Sequence, residues 1–238
     1  MDRLAGAHEL LDGPLDDAAT LAGNLRDLRR VNALLGGVRL SRDAIDALVG
    51  ADSGRRTAVE LLDVGTGGAD IPVALIAEWR RNGRHLAVTA VDERPEVLAA
   101  ARVARPDLGS ISGLTLGVGD GRALAYEDRA FDVAHASLLV HHLEPGDAVR
   151  LLGEMIRVSR RGIVVNDLAR GRLRWLAAWL LARVATRNRY TRHDGPLSVR
   201  RAYTAVEMHA LLAVAGLRPI ATRRDILRHR YAIAAVRS

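Results

Sequence analysis

The stretch "LLDVGTGGADIPVAL", residues 61–75, carries the clearest structural signal in the chain. An apolar run ends at Asp63, three glycines follow within four residues, and a second apolar run begins at Ile71. A short apolar run is typical of a buried strand, and glycine permits the backbone of a tight turn. The pattern predicts a strand over Val59–Val64, a glycine turn, and a helix over Ile71–Arg81.

The same alternation continues beyond this turn. Apolar runs predict strands at Leu86–Asp92 and Leu114–Asp120, and two more within residues 130–140 and 161–168, with helices between them. Strands that are apolar on both faces and alternate with helices indicate a parallel sheet covered on both sides. Two late runs, "RPIATRRD" and "RYAIAAVR", predict strands that complete a mostly parallel seven-stranded sheet in an α/β, Rossmann-like fold.

The ends of the chain differ from this core. Residues 1–50 predict an N-terminal helical cap, with Ser41 as the N-cap of its last helix. The main domain is expected over residues 51–238. It includes a lid insertion at about 170–202, whose sequence predicts one helix followed by an irregular segment. Thr204 and Glu207 have the spacing of a capping box and predict another helix.

Composition excludes several kinds of chemistry. The chain has 238 residues, no cysteine and no lysine, so all 35 basic residues are arginine. Thiolate metal sites, disulfides, Schiff-base chemistry and a phosphate-binding lysine are therefore excluded. The N-terminal sequence lacks the apolar core of a signal peptide, and the longest apolar stretch is too short to span a bilayer, which predicts a cytoplasmic protein.

The charge is unevenly distributed. Residues 1–156 hold 17 arginines against 24 acids, whereas residues 157–238 hold 18 arginines against 4 acids. Such asymmetry is typical of a surface that faces nucleic acid, a membrane or an anionic substrate, or simply of a solvated arginine surface.

The glycine turn could serve either of two cofactors. Gly65 and Gly67 match the first two positions of the dinucleotide fingerprint G-x-G-x-x-G, but Asp70 occupies the third. A carboxylate there, with Asp63 before the turn, would repel a pyrophosphate. S-adenosylmethionine carries a sulfonium and an ammonium instead, so acids near it are favourable.

Several motifs in order resemble those of class I S-adenosylmethionine-dependent methyltransferases. "DVGTGGAD" is similar to their first motif, D/E-x-G-x-G-x-G, with Ala69 at the third glycine. Asp92 ends the second strand where the family's acid accepts the ribose hydroxyls, and "GDG" at 119–121 follows the third strand near the adenine. "FDVAHASLLVHHL" resembles the fourth-strand motif. The resemblance implies cofactor contacts from Asp63, Gly65, Gly67, Asp92, Glu93, Asp120, Gly121 and Ser137.

The end of the fourth strand bears on the acceptor. The chain has "SLLVHHL" where base N-methyltransferases carry an Asn/Asp-Pro-Pro-aromatic turn. Asn166 and Asp167 resemble the metal-binding pair of catechol methyltransferases, but Ala136 and Ser137 replace the acid that would complete that site. We therefore expect no catalytic metal.

Histidines are the candidate general bases for a phenolic acceptor, because their pKa lies near neutrality. His141 and His142 follow the fourth strand, and His193 lies in the lid. We name His193 and His142 as candidate catalytic residues, and the lid position favours His193.

The segment from "VVNDL" to "TRHDGPLSVRRAYT" resembles bacterial small-molecule methyltransferases found with polyketide synthases, which implies a small phenolic or polyketide-derived acceptor in secondary metabolism. More distantly, the chain is similar to quinone-ring C-methyltransferases of the ubiquinone and menaquinone type. An RNA methyltransferase and a non-catalytic cofactor-binding scaffold remain alternatives, although few aromatics accompany the arginines and no nucleic acid is expected.

The helix "RLRWLAAWLLARVATR" has an apolar face between arginine clusters. Such a face could line an acceptor pocket, contact a membrane or a lipidic substrate, or pack on the sheet or on a second subunit, so a homodimer also stays open.

Overall fold

The computed structural model describes residues 1–15, 17–50, 53–55 and 57–238. Its centre is a seven-stranded sheet in the order β3-β2-β1-β4-β5-β7-β6, in which β7 is antiparallel to both of its neighbours and the other pairings are parallel. The predicted α/β fold with a mostly parallel seven-stranded sheet is confirmed. The strands are β1 Val59–Val64, β2 Leu86–Asp92, β3 Leu114–Val118, β4 Phe131–Ser137, β5 Ser159–Leu168, β6 Leu217–Arg224 and β7 Arg230–Arg237.

Helices cover both faces of this sheet because its central strands are buried on both sides. Helices α5 and α8 pack on one face, and α2 and α3 pack on the other. The helices are α1 Ala18–Leu34, α2 Gly37–Val49, α3 Asp70–Arg81, α4 Pro95–Ala104, α5 Pro145–Val158, α6 Arg172–Ala185, α7 Arg189–Arg201 and α8 Ala205–Val214.

The N-terminal cap contains one boundary that the sequence analysis misplaced. Helix α2 begins at Gly37 instead of after Ser41, and Gly36 precedes it with a φ of 82°. Ser41 lies inside the helix, where it is fully buried and its Oγ contacts His135 of β4. The Ser41 hydroxyl therefore makes a tertiary contact and does not cap the helix. The predicted domain boundary at residue 51 falls outside the described residues.

The lid insertion is more regular than its sequence predicts. The expected irregular segment forms α7, although Gly195 and Pro196 lie within it. Asn188 caps this helix by accepting hydrogen bonds from the backbone N–H groups of Tyr190 and Thr191. Buried side chains along α7 pack on the N-terminal segment, and this tertiary burial outweighs the turn signal of Gly-Pro.

The first fifteen residues lie across this lid. The Leu4 N–H donates to the Arg200 carbonyl, and the Arg3 guanidinium donates to the carbonyls of Arg201 and Leu143 and to the Glu144 carboxylate. Residues 1–15, which we call the N-terminal segment, are thus fixed to both α7 and the loop after β4.

Helix α6 is the least buried of the helices α1 to α8. Ala182 is its one buried residue, whereas Leu173 and Val184 are 82% and 85% exposed. Within the described residues, no helix is long and apolar enough to cross a membrane.

Candidate active site

A cleft opens at the carboxyl ends of β1, β2 and β4, the edge of a parallel sheet where ligands bind in open α/β folds. The glycine turn after β1 forms its floor, and Leu21, Leu25 and Leu28 of α1 form one wall. Leu11 and Asp12 of the N-terminal segment close one end.

The glycine turn brings backbone close to the cleft. Gly65 and Gly67 have φ values of 67° and 55°, in the left-handed region that favours glycine. A Cβ on Gly65 would lie 2.8 Å from the Leu139 side chain, so no larger residue fits there. Ala69 also takes a positive φ, 53°, and this is the position where the sequence departs from the glycine motif.

Asp92 at the end of β2 is held by the turn itself. Its Oδ2 accepts the Gly67 N–H at 2.9 Å and its Oδ1 accepts the Arg94 N–H at 3.1 Å. Burial raises the pKa of this carboxyl, and these two hydrogen bonds oppose the rise. Asp92 lines the cleft, where its remaining lone pairs can accept further hydrogen bonds.

The opposite rim of the cleft carries Asp120, Gly121 and Glu93. Arg122 joins the two acids, with Nε 2.9 Å from Asp120 Oδ1 and Nη2 3.2 Å from Glu93 Oε2. This guanidinium holds the pKa of Asp120 below its usual range. A Cβ on Gly121 would lie 2.6 Å from the side chains of Leu151 and Val64, so a larger residue there would have to displace them. The sequence analysis missed Arg122.

A series of buried, hydrogen-bonded side chains joins Asp63 to helix α2 on one face of the sheet. Its Oδ1 lies 2.5 Å from His135 Nδ1, and His135 Nε2 lies 2.8 Å from Ser41 Oγ. Asn166 Nδ2 donates to Ser41 Oγ at 2.8 Å and to the Gly37 carbonyl at 2.9 Å. Because the Asp63 carboxylate accepts, the His135 Nδ1–H donates to it, and in that neutral tautomer Nε2 accepts from the Ser41 hydroxyl.

A buried arginine from β7 lies behind this end of the cleft. Arg230 Nη1 donates to Asn32 Oδ1 at 2.5 Å and Nη2 donates to Ser137 Oγ at 3.2 Å. Burial lowers the pKa of Arg230 to about 10. Asn32 in turn donates to Asp70 Oδ2 at 2.8 Å. Asn32, Asp70 and Ser137 line the cleft, so Arg230 orients its polar wall from below.

The two adjacent histidines after β4 have separate carboxylate partners. His141 Nδ1 lies 2.6 Å from Asp167 Oδ1, and His142 Nδ1 lies 2.8 Å from Asp12 Oδ1. His142 lines the cleft, whereas His141 is 2% exposed and lies behind it. Burial opposes a charge on His142, yet the nearby carboxylates of Glu9 and Asp12 raise its pKa.

Arg201 of α7 fixes the N-terminal segment beside these histidines. Its Nη1 lies 2.5 Å from Asp12 Oδ2 and 3.4 Å from Glu9 Oε1, and its Nη2 donates to the His142 carbonyl at 2.6 Å. Neither Glu9 nor Asp12 was singled out from the sequence, because His142 and Ser198, their side-chain partners here, lie at least 130 positions away.

The third predicted histidine lies elsewhere. The His193 side chain is 51% exposed, its Nδ1 contacts Asp194 at 2.7 Å, and it is not among the residues that line the cleft. Asp194 accepts the backbone N–H groups of Leu10 and Leu11, so this pair supports the N-terminal segment from outside.

Asn166 and Asp167, the pair that resembles a metal-binding motif, are hydrogen-bonded to other side chains. Asn166 is fully buried and joined to Ser41, and Asp167 holds His141 through both its ring and its backbone N–H. Neither residue lines the cleft.

The cleft meets the requirements of S-adenosylmethionine. Two turn glycines admit a ligand against the backbone, two carboxylates can accept its ribose and adenine groups, and the buried Thr66 Oγ1 on the cleft wall has no hydrogen-bond partner among the described residues. Residues 61–162 match the family model of a methyltransferase domain. This match covers less than half of the chain; together with the shared fold it identifies a methyltransferase domain, whose cofactor is S-adenosylmethionine.

Solved structures of the same fold are similar to this chain at low sequence identity. A SAM-dependent methyltransferase from Aquifex aeolicus has a TM-score of 0.62 at 17% identity, over 90% of this chain and 97% of that chain. Human N-acetylserotonin methyltransferase in complex with SAM has a TM-score of 0.64 at 18% identity, over 96% and 61%. The citrinin polyketide synthase CMeT domain has a TM-score of 0.55 at 14% identity, over 76% and 47%. No curated protein sequence matches the chain.

Proposed function

We propose that this enzyme methylates a hydroxyl oxygen of a small aromatic acceptor, phenolic or polyketide-derived, with His142 as the general base. The observation that carries the proposal is the hydrogen-bonded pair of His142 and Asp12 at the closed end of the cofactor cleft. In this proposal residues 1–50 cap the methyltransferase domain, and the insertion at about 170–202 supports the cap over the acceptor.

Apolar side chains around this pair favour an aromatic acceptor. Leu11, Leu139 and Leu143 line the cleft beside His142, and a flat ring can pack on such surfaces. A phenol has a pKa near 10, so at neutral pH its hydroxyl must lose a proton as the oxygen attacks.

The hydrogen bonds of His142 suit it to that task. Its Nδ1–H donates to Asp12, which leaves Nε2 with a lone pair that can take the hydroxyl proton. Glu9 Oε2 lies 3.8 Å from Nε2 and would stabilise the imidazolium that forms. Bound S-adenosylmethionine would supply an electrophilic methyl group and be released as S-adenosylhomocysteine. The acceptor oxygen would become an ether as its proton moves to His142.

C-methylation of a quinone-like ring is the second candidate. One structural neighbour is the CMeT domain of the citrinin polyketide synthase, and this chain covers 47% of that structure. The same base could remove the proton from the ring carbon after methyl transfer, so a histidine at this position is compatible with both outcomes.

The test is turnover of a panel of phenols and hydroxyquinones with S-adenosylmethionine, followed by mass spectrometry and NMR of the products. Ethers from phenols support the proposal, and ring-methylated products from quinones support the second candidate. Cofactor binding without turnover of any acceptor would contradict both and favour a non-catalytic scaffold.

We also infer that α6 meets an anionic lipid surface. Its exposed apolar residues include Leu173, Leu180 and Val184, and no acid occurs over residues 168–193, which hold seven arginines from Arg170 to Arg192. Co-sedimentation with vesicles containing phosphatidylserine, but not with phosphatidylcholine vesicles, is expected to disappear in Leu180→Glu. Dimerisation through α6 instead, seen as a doubled mass by light scattering, would contradict this inference.

A further inference from the structure

Three side chains, one of them the proposed base His142, form a cluster around a common point. Glu9, His141 and His142 each offer one ligand atom, and these atoms all lie within 4.8 Å of one another. Glu9 and His141 are 3% and 2% exposed, so the cluster is shielded from water. We propose that Glu9, His141 and His142 bind a divalent transition metal ion such as Zn²⁺, which clamps the N-terminal segment onto the turn after β4.

Carboxylate partners orient both rings for this role. The Nδ1 of His141 bonds to Asp167, and the Nδ1 of His142 bonds to Asp12, so in the neutral rings each Nε2 carries a lone pair. A carboxylate that holds the far nitrogen of a histidine is the usual support of a metal ligand, because it fixes both the tautomer and the ring orientation.

The facing atoms cannot satisfy one another. His141 Nε2 lies 3.9 Å from Glu9 Oε1, and His142 Nε2 lies 3.8 Å from Glu9 Oε2. These distances are too long for hydrogen bonds, so the three side chains are not bonded to one another at the point that they face. A cation at this point would contact all three.

The spacing suits an ion of the size of Zn²⁺. Ligand atoms about 2.0–2.1 Å from a tetrahedral zinc lie roughly 3.4 Å from one another. Movements of about 0.5 Å would bring the Glu9 oxygens into that range, and two histidines with one carboxylate leave a fourth position for water or another ligand.

The local charge also favours a divalent ion. The carboxylates of Glu9, Asp12 and Asp167 surround the two rings, and Arg201 contacts Glu9 and Asp12. A divalent ion would add positive charge among these three acids. Arg201 stays paired with Asp12 at 2.5 Å when Glu9 turns towards the ion.

A consequence for activity follows, and it rests on the proposed function. An ion on His142 Nε2 would occupy the lone pair that accepts the acceptor proton, so the bound metal would inhibit turnover instead of supporting it. The metal site itself depends only on the three ligands and is tested apart from activity.

The test is calorimetric titration of the chelator-treated, full-length protein with Zn²⁺, together with the visible absorption spectrum of the Co²⁺ form. We expect one ion per chain, and at least about tenfold weaker binding in Glu9→Gln and in His142→Gln, which change ligands on two separate segments. His85→Gln, on an exposed residue away from the cluster, is the matched control and is expected to bind as the wild type does.

Circular dichroism of each variant verifies its fold, and the wild-type titration decides the question even where a variant fails to fold. No saturable binding by the wild type, or equal affinity in the wild type and both ligand variants, would overturn the proposal. Binding without inhibition of phenol turnover would leave the metal site standing and count against His142 as the base.

Discussion

The His142 imidazole and the Asp12 carboxylate, 130 positions apart in the chain, are joined by a hydrogen bond of 2.8 Å at the closed end of the cofactor cleft. Each comes from a different part of the molecule, one from the turn after β4 and the other from the N-terminal segment. The pair therefore exists only when that segment lies in place over the cleft.

The first prediction concerns this pair. His142→Ala is expected to lower kcat by roughly 10²- to 10⁴-fold with little change in S-adenosylmethionine affinity, because the base contacts the acceptor and not the cofactor. The loss should shrink as the pH approaches the pKa of the phenol, where the acceptor is already ionised. Steady-state kinetics with EDTA present measure both effects.

His193→Ala separates the two histidines that the sequence names as candidate bases. Its half-exposed position outside the cleft predicts a smaller loss of turnover than in His142→Ala. A larger loss of turnover in His193→Ala than in His142→Ala would indicate that His193 is the base. A loss of less than about tenfold in both variants would remove the support for a histidine base.

The second prediction concerns the pH dependence of cofactor binding. The Asp92 carboxylate must be ionised to accept the ribose hydroxyls, and burial raises its pKa above its ordinary value, near 3.9. As the pH falls through this raised pKa, Asp92 takes up a proton and S-adenosylmethionine affinity should fall. Arg122 keeps Asp120 ionised over the same range, because the pKa of Asp120 is lowered.

Calorimetry between about pH 4 and 7 measures this loss of affinity. Asp92→Ala should bind the cofactor weakly at all pH values, whereas Asp120→Asn should keep the pH dependence of the wild type. Tighter binding of NAD than of S-adenosylmethionine would contradict the interpretation of the glycine turn itself.

The third prediction concerns metal removal. Turnover is expected to survive EDTA, because Asn166 and Asp167 are engaged by Ser41 and His141 and lie away from the cleft. Should activity vanish in EDTA and return with Mg²⁺, these two residues would become ligands of a catalytic metal.

The fourth prediction concerns stability. Ser41→Ala removes a hydroxyl that accepts from Asn166 and contacts His135 in a fully buried position. Because both partners lose a hydrogen bond away from water, the free energy of unfolding is expected to fall by about 1–3 kcal/mol. Urea denaturation measures it, with Ser110→Ala, an exposed serine, as the control. An equal change in both variants would show that the buried hydrogen bonds of Ser41 contribute little to the free energy of unfolding.

The sequence predicts the sheet well because its signal is local. The strand over Val59–Val64 and the helix after it follow from apolar runs and glycines, which act within a few residues. Likewise, Thr204 caps α8 through a capping box that spans four positions. Local chemistry of this kind needs no knowledge of the rest of the chain.

The candidate site could be predicted only where its residues follow strands. Asp92 and Asp120 lie at strand ends, but Glu9, Asp12 and Arg230 reach the site through contacts between distant segments. Helix α7 was missed for the same reason, since its Gly-Pro pair indicates a turn and only packing against the N-terminal segment outweighs that signal.

The contact between the N-terminal segment and α7 also determines when the cover of the acceptor end can form during translation. Glu9 accepts a hydrogen bond from Ser198, a residue translated 189 positions later. The glycine turn and the first four strands can leave the ribosome and pair while the acceptor end still lacks its cover. The proposed base therefore has its carboxylate partner fixed in place only after α7 has been translated, and a nascent chain that ends before α7 could hold the cofactor before it could methylate anything.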